Sequence, residues 1–256
     1  MDIIQSLILG AVQGITEFLP VSSSGHLVLM QKILGIKEPP IFFDTLIHFA
    51  TLLAVVYYLR KEIFSIIKGI KQKENQKLVV LIALATVPAV VVGFLLKDKI
   101  EGIFNSLDLL SITFLLTALI LYATKFLKNS QKELKNANWK DSLFVGIFQA
   151  LAILPGVSRS GSTISAGLFL GLKREDAFKF SFLLAIPVIF GAMVLQIFDF
   201  KTGNLNGGFL VNFTGFLTAV IFGFLSLKIL EKIAVRGKLH YFAYYCLALA
   251  LIIFFI

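Results

Sequence analysis

Two short stretches of this 256-residue chain carry polar residues out of keeping with their apolar surroundings. The first is Gln13-x-x-x-Glu17 followed by Pro20-Val21-Ser22-Ser23-Ser24-Gly25-His26. The second is Gln149 followed by Pro155-Gly156-Val157-Ser158-Arg159-Ser160-Gly161. Pooled, they offer a carboxylate (Glu17), an imidazole (His26), a guanidinium (Arg159), a set of hydroxyls and two amides. A phosphate centre wants this set. Arg159 presents a planar fork to two phosphate oxygens. Helices that open after each Ser-Gly break aim backbone N–H groups at an anion, and Gly25 and Gly161 allow close approach. Ser23 is a nucleophile if a base stands near, and His26 lies three residues beyond it. Ser22, Ser24, Ser158 and Ser160 add hydroxyls for substrate binding. Glu17, with the Gln13 carbonyl four residues earlier on the same helix face, could hold a hard divalent cation such as Mg²⁺ or Ca²⁺.

Each residue also has a plainer reading. Any one of Ser22, Ser24, Ser158 and Ser160, taken alone, is most simply a helix cap. Gln13 and Gln149 would serve equally as hydrogen bonds between helices. Arg159 has the weakest plain reading, because a buried guanidinium without an anion is costly. His48, near the outer end of an apolar run, and His240, in a basic loop, read as structural, and Asp44 as a marker of the interface. The single cysteine, Cys246, reads as a small buried hydrophobe, so no disulfide or zinc framework is available.

The elements that position these residues must be membrane elements. Hydrophobic residues make up 57% of the chain and charged residues only 15%, so a soluble fold of this length could not hide the apolar surface. The N-terminal run is interrupted by Gln13 and Glu17 and reads as mature structure rather than a signal peptide. Six apolar segments approach spanning length: about 43–59, 78–96, 109–127, 180–198, 213–230 and 241–256. Two further stretches, about 3–34 and 142–172, carry the polar motifs at their middles. Each arm is too short to cross comfortably, so both read as re-entrant hairpins buried by protein. Basic residues then orient the chain. Segments 60–77, 125–141, 173–179 and 228–238 hold 18 of the 24 lysines and arginines, which makes their side cytoplasmic and puts both termini outside. The net charge of +9 therefore belongs to topology, and no basic stretch sits in a soluble domain that could bind nucleic acid.

Sliding the chain on itself by 136 residues aligns the hairpins without a gap, with 11 identities in 32 positions between Ser6–Lys37 and Ser142–Lys173. Each half reads as a hairpin plus three spans. Three is odd, so the second copy is inverted, and such repeats place the site where the two breaks meet near the midplane. The expected fold is an all-α integral membrane protein. It has six transmembrane helices and two re-entrant helical hairpins in an inverted-topology repeat. One domain spans 1–256, with repeat 1 at about 1–127 and repeat 2 at about 137–256.

The two motifs, in this order and over essentially the whole chain, resemble the undecaprenyl-pyrophosphate phosphatase (bacitracin-resistance) family. The resemblance implies a bacterial inner-membrane enzyme that removes the terminal phosphate of undecaprenyl pyrophosphate. This would recycle the carrier lipid for peptidoglycan, with help from a divalent cation and with its site toward the outer face. Glu17, Ser23, His26, Ser158, Arg159 and Thr163 match the family's motif residues, while Gln13 stands where the family usually has an acid. The attacking group is left open between Ser23, His26 and a metal-bound water, with Ser23 favoured. The partners implied are the lipid pyrophosphate and the bilayer, with a homodimer left open. The rival from another class is an inverted-repeat transporter or lipid flippase. The histidine-nucleophile lipid phosphatases fit poorly, since the histidine they need falls on Ser165.

Overall fold

A computed structural model of the protein describes residues 1–36, 41–96, 106–128, 130–199 and 208–255. The internal repeat's last identity, Lys37, and most of the sparsely charged connections 97–108 and 199–212 lie outside these residues. Among the described residues the regular structure is helical, apart from one isolated bridge between Lys132 and Leu172. In order the helices are α1 (Ile3–Phe18), α2 (Ser23–Ile33), α3 (Ile41–Tyr58), α4 (Arg60–Lys68), α5 (Lys73–Leu95), α6 (Leu107–Ala123), α7 (Trp139–Leu151), α8 (Arg159–Phe169), α9 (Arg174–Asp199), α10 (Gly208–Val235) and α11 (Tyr241–Phe254). Among the described residues, four helices are long and apolar enough to cross a membrane: α5, α6 with its following 3₁₀ turn, α9 and α10. A fifth candidate is the pair α3 and α4, bent by 66° at Leu59; α1 and α11 are apolar but shorter. The protein is a multi-pass membrane protein.

The two motif-bearing stretches share helix starts, and the ends of α2 and α8, at a spacing of 136 residues, while α7 ends three residues short of the α1 equivalent. Asp2 opens α1 with a capping box to Gln5, and Asn138 opens α7 with the same device to Asp141. Ser22 caps α2 and Ser158 caps α8, each accepting the N–H of the glycine three residues on. At the far ends Gly35 (φ 67°) and Gly171 (φ 80°) turn the chain left-handed, and the residue after each closes a 6→1 hydrogen bond. α1 docks on α10, while α7 docks on α5. Small residues let these pairs touch: a Cβ on Gly10 would lie 2.4 Å from the Gly215 carbonyl oxygen, and one on Gly146 would lie 2.7 Å from that of Ala85. The Ser6 hydroxyl donates to Val211 O at 2.5 Å across the first contact, and the Ser142 hydroxyl donates to Leu81 O across the second. Between them lies an apolar core that includes Phe18, Phe182, Leu184 and Leu227, with Phe18 set edge-on to Phe182 at 5.6 Å.

The basic segments hold ordered structure. Residues 60–77 contain α4, whose Ile63, Ile66 and Ile67 alternate with Arg60, Lys61 and Lys68; it buries no residue fully and exposes Phe64 and Ile67. An apolar stripe bordered by cations suits a helix lying along a membrane surface. In the next basic segment Glu133 accepts from Lys135 and Lys173, both at 2.8 Å, and Lys132 reaches Asp141 at 2.7 Å. Hydrogen bonds from Lys135 and Lys173 hold the Glu133 carboxyl at about 2 against an ordinary 4.5.

Two predictions follow from this packing. Gly10→Ala forces a Cβ into the Gly215 backbone and should cost about 1–3 kcal/mol, read as a lower melting midpoint in detergent. Gly191→Ala, with nothing within 4 Å of the new atom, should stay within about 0.5 kcal/mol. The Glu133 clamp belongs to the charged carboxylate, so it is present above pH 4.5 and lost as pH falls toward 2. The melting difference between the parent and Glu133→Gln should accordingly be present at pH 6 and narrow steadily below pH 4.5.

Candidate active site

The site lies where the two helix breaks meet. α1 stops at Phe18, and the chain turns through Leu19, Pro20 and Val21 to Ser22. Ser22 adopts φ 70°, and no other non-glycine among the described residues has a positive φ. Such backbone costs on the order of 1–3 kcal/mol and persists only where its surroundings hold it. Here the Ser22 hydroxyl accepts from Gly25 N at 3.5 Å and, from the other hairpin, from Gly156 N at 3.1 Å. The second break turns at Gly156 (φ 91°), where a Cβ would strike the Thr113 side chain. Thr117 secures it, donating to Gly156 O at 2.8 Å and accepting from Ser158 N at 3.1 Å. Ser160 donates to Leu19 O at 3.4 Å, and Gly161 faces Pro20 with little room for a side chain. The breaks thus satisfy one another's backbone groups in the buried interior.

Across this junction Arg159 Nη2 donates to Glu17 Oε1 at 2.8 Å, with both side chains largely buried. Ser23 Oγ donates to Glu17 Oε2 at 2.5 Å, and Gln13 Nε2 reaches the same oxygen at 3.1 Å. Beside them is a cavity of about 330 Å³. Its polar wall comprises Glu17, Ser22, Ser23, Ser24, His48, Gln149, Ser158 and Arg159, and Val188, Ile189, Ala192 and Met193 of α9 form part of an apolar wall. Arg159 Nη1 is buried and has no hydrogen-bond partner. Buried donors are rarely left so, and this one is available to an anion.

Not every expected residue faces the cavity. Ser160 bonds to Ser158 at 3.2 Å and to Leu19 O, and Thr163 bonds to Arg159 O at 2.8 Å and to Ser181 at 2.6 Å. Both hydroxyls serve the hairpin. The larger departure concerns the histidines. His26, expected beside Ser23 as its base, turns the other way. Its Nδ1 lies 2.7 Å from Ser22 O and its Nε2 lies 2.7 Å from the Tyr245 hydroxyl. Its ring packs against Phe114 of α6 and Tyr245 of α11, and both its nitrogens are engaged there and at Ser22 rather than at Ser23. The imidazole on the cavity wall is instead that of His48, whose position near the end of an apolar run reads as structural. Its Nε2 lies 4.0 Å from Glu17 Oε2, and its Nδ1 lies 2.7 Å from Asp44 O. Asp44 is likewise more than an interface marker, since both its oxygens accept from Gln31 Nε2, at 3.1 and 2.9 Å, tying α3 to α2. A signal existed: Asp44, His48 and Thr51 form a polar stripe at helical spacing along an otherwise apolar span, and such groups at membrane depth are site candidates.

For a metal the donors are few. Among the described residues no three His, Cys, Asp or Glu side chains cluster to hold an ion by themselves. The Glu17 carboxylate does stand beside Gln13, whose buried Oε1 has no partner. That oxygen pair has the chemistry of a hard-cation donor set, and Glu17 and Gln13 are the residues that would hold such an ion.

The chain is similar in sequence to known proteins over nearly its whole length. The family model described as "Bacitracin resistance protein BacA" matches residues 6–252. A protein of Methanosphaera stadtmanae named undecaprenyl-diphosphatase is 43% identical, covering 98% of this chain and 97% of its own. One of the same name from Carboxydothermus hydrogenoformans is 47% identical, covering 96% and 94%, and one from Thermosipho africanus is 43% identical, covering 98% of each. This chain belongs to the BacA family of bacitracin resistance proteins.

Proposed function

We propose that the protein is a membrane phosphatase that hydrolyses undecaprenyl pyrophosphate to undecaprenyl phosphate and inorganic phosphate, recycling the carrier lipid for peptidoglycan synthesis. The observation that carries the reading is the buried, unpartnered Nη1 of Arg159 beside a serine, a carboxylate and two helix N-termini in one cavity. The relatives' shared name supports it. The shared caps and turns at a spacing of 136 residues, with the one-sided distribution of basic residues, support six spans and two re-entrant hairpins in an inverted repeat. In that arrangement both termini and the site face outward across the cytoplasmic membrane.

The chemistry follows from the contacts. The terminal phosphate takes Arg159 from Glu17, occupying Nη1 and Nη2 as a fork, while Ser24, Ser158 and the first-turn N–H groups of α2 and α8 hold its other oxygens. Ser23 Oγ attacks the terminal phosphorus, and its proton passes to Glu17 Oε2, 2.5 Å away. The bond from phosphorus to the bridging oxygen breaks, and undecaprenyl phosphate leaves. Glu17 gives its proton up to the departing phosphate and so can take one from the water that attacks the phosphoserine. That proton passes on to Ser23 Oγ as the phosphorus–Oγ bond breaks, and inorganic phosphate is released. The apolar wall on α9 suits the first isoprene units. Mg²⁺ or Ca²⁺, held by Glu17 and Gln13 Oε1, would offset phosphate charge that Arg159 and the helix termini balance only in part.

Purified protein in detergent should release phosphate from an isoprenyl pyrophosphate, with no second compartment present. A transporter or flippase would release none. Arg159→Lys keeps the charge but loses the fork, and should lower kcat by about 10²–10³. Lys71→Ala, far from the cavity, should leave the rate unchanged. His48→Ala should cost about tenfold or more, since its Nε2 stands over Glu17, whereas His240→Ala should cost nothing. Excess chelator should stop turnover reversibly, and Glu17→Gln should lower both the rate and the metal stimulation. Full activity under chelation, unchanged by Glu17→Gln, would show that protein charges alone suffice.

A further inference from the structure

We propose that Tyr245 is a positioning residue for this site, acting through His26 on the backbone that presents Ser22 and Ser23. The Ser22 carbonyl can only accept, so Nδ1 of His26 carries the proton between them, at 2.7 Å. In the neutral ring Nε2 is then an acceptor, and the Tyr245 hydroxyl donates to it at 2.7 Å. Both ring nitrogens are occupied, and neither is turned to Ser23. The rings stack within 10° of parallel at 5.7 Å, and Phe114 closes the other side edge-on at 5.5 Å. His26 is therefore held by α11 and α6 in one tautomer and one orientation.

What it holds in turn is the turn at Ser22. The Ser22 carbonyl accepts both the backbone N–H of His26, at 3.2 Å, and its Nδ1–H. Ser22 is the described non-glycine residue with left-handed backbone, and its hydroxyl carries the link to Gly156 of the second hairpin. The next residue, Ser23, places its Oγ on Glu17. Rotation at Ser22 would move the nucleophile and the contact between hairpins together. A clamp on the Ser22 carbonyl is thus a clamp on the attack geometry, where a displacement of about 1 Å costs up to 10²-fold in rate. Tyr245 is the far end of that clamp.

The inference rests on the phosphatase reading, with Ser23 as the attacking group. It is tested in full-length detergent-solubilised protein with an isoprenyl pyrophosphate and with ¹⁵N-histidine labelling. Tyr245→Phe keeps the stacked ring and removes only the hydroxyl. Its kcat should fall about tenfold with KM within twofold and the pH profile unmoved in shape, while the His26 Nε2 resonance shifts. His26→Asn, whose amide can still donate to the Ser22 carbonyl, should retain several-fold more activity than His26→Ala. Wild-type rates in Tyr245→Phe, or a loss confined to KM, would overturn the proposal. So would equal losses in His26→Asn and His26→Ala, or a displaced limb of the pH profile, since these mark His26 as the base itself. Absence of phosphate release from the parent protein would instead overturn the phosphatase reading.

Discussion

The buried ion pair between Glu17 and Arg159 is the interaction on which the rest of the site depends. It joins residues 142 apart in sequence, one from the end of α1 and one from the first turn of α8. A pair taken this far out of water contributes little net stability, because desolvation offsets most of the attraction. Removing one partner is a different matter, since the other is left charged and unpaired, at about 3–5 kcal/mol. The pair is best understood as a specificity device. It permits one relative placement of the two hairpins.

That placement is only possible because the surrounding backbone is satisfied without water. Both breaks interrupt helices in an apolar setting, where each unmet N–H or C=O is costly. The serines of the motifs meet this need in a reciprocal way. Ser22 accepts a backbone N–H from each hairpin, Ser158 caps its own helix, and Ser160 returns a bond to Leu19. Capping and chemistry are therefore not competing explanations of these residues. The same hydroxyl that closes a helix also fixes the distance between the two halves of the cavity. Behind them, Gly10 and Gly146 let α1 and α7 press against α10 and α5, so the hairpins rest on rigid neighbours.

The two histidines are placed differently from their order in the motifs. His26 is clasped between Ser22, Tyr245 and Phe114, and His48 stands over Glu17. An imidazole whose nitrogens are both engaged gives geometry, while one with a nitrogen toward a cavity is placed for proton traffic. Asp44 and Gln31 connect the two, because α3 carries His48 and α2 carries His26.

The amino-acid sequence by itself determined the chemical inventory, the helix breaks and the approximate limits of the long apolar helices. Each is a local property: hydrophobic runs mark apolar helices, and Pro, Gly and Ser mark breaks. The 136-residue correspondence was also legible, since matched polar residues in apolar runs are too costly to recur idly. The orientation of a side chain was not. His26 is three residues from Ser23 in sequence, yet its ring is directed by Tyr245, 219 residues away, and by Phe114. His48 gained its place from the docking of α3 beside α1, which no single segment encodes. Likewise α4, nine residues with cations at both ends, shows helical character only once α3 bends and lays it down. Contacts between distant elements are decided by packing as a whole, and packing is what local sequence cannot express.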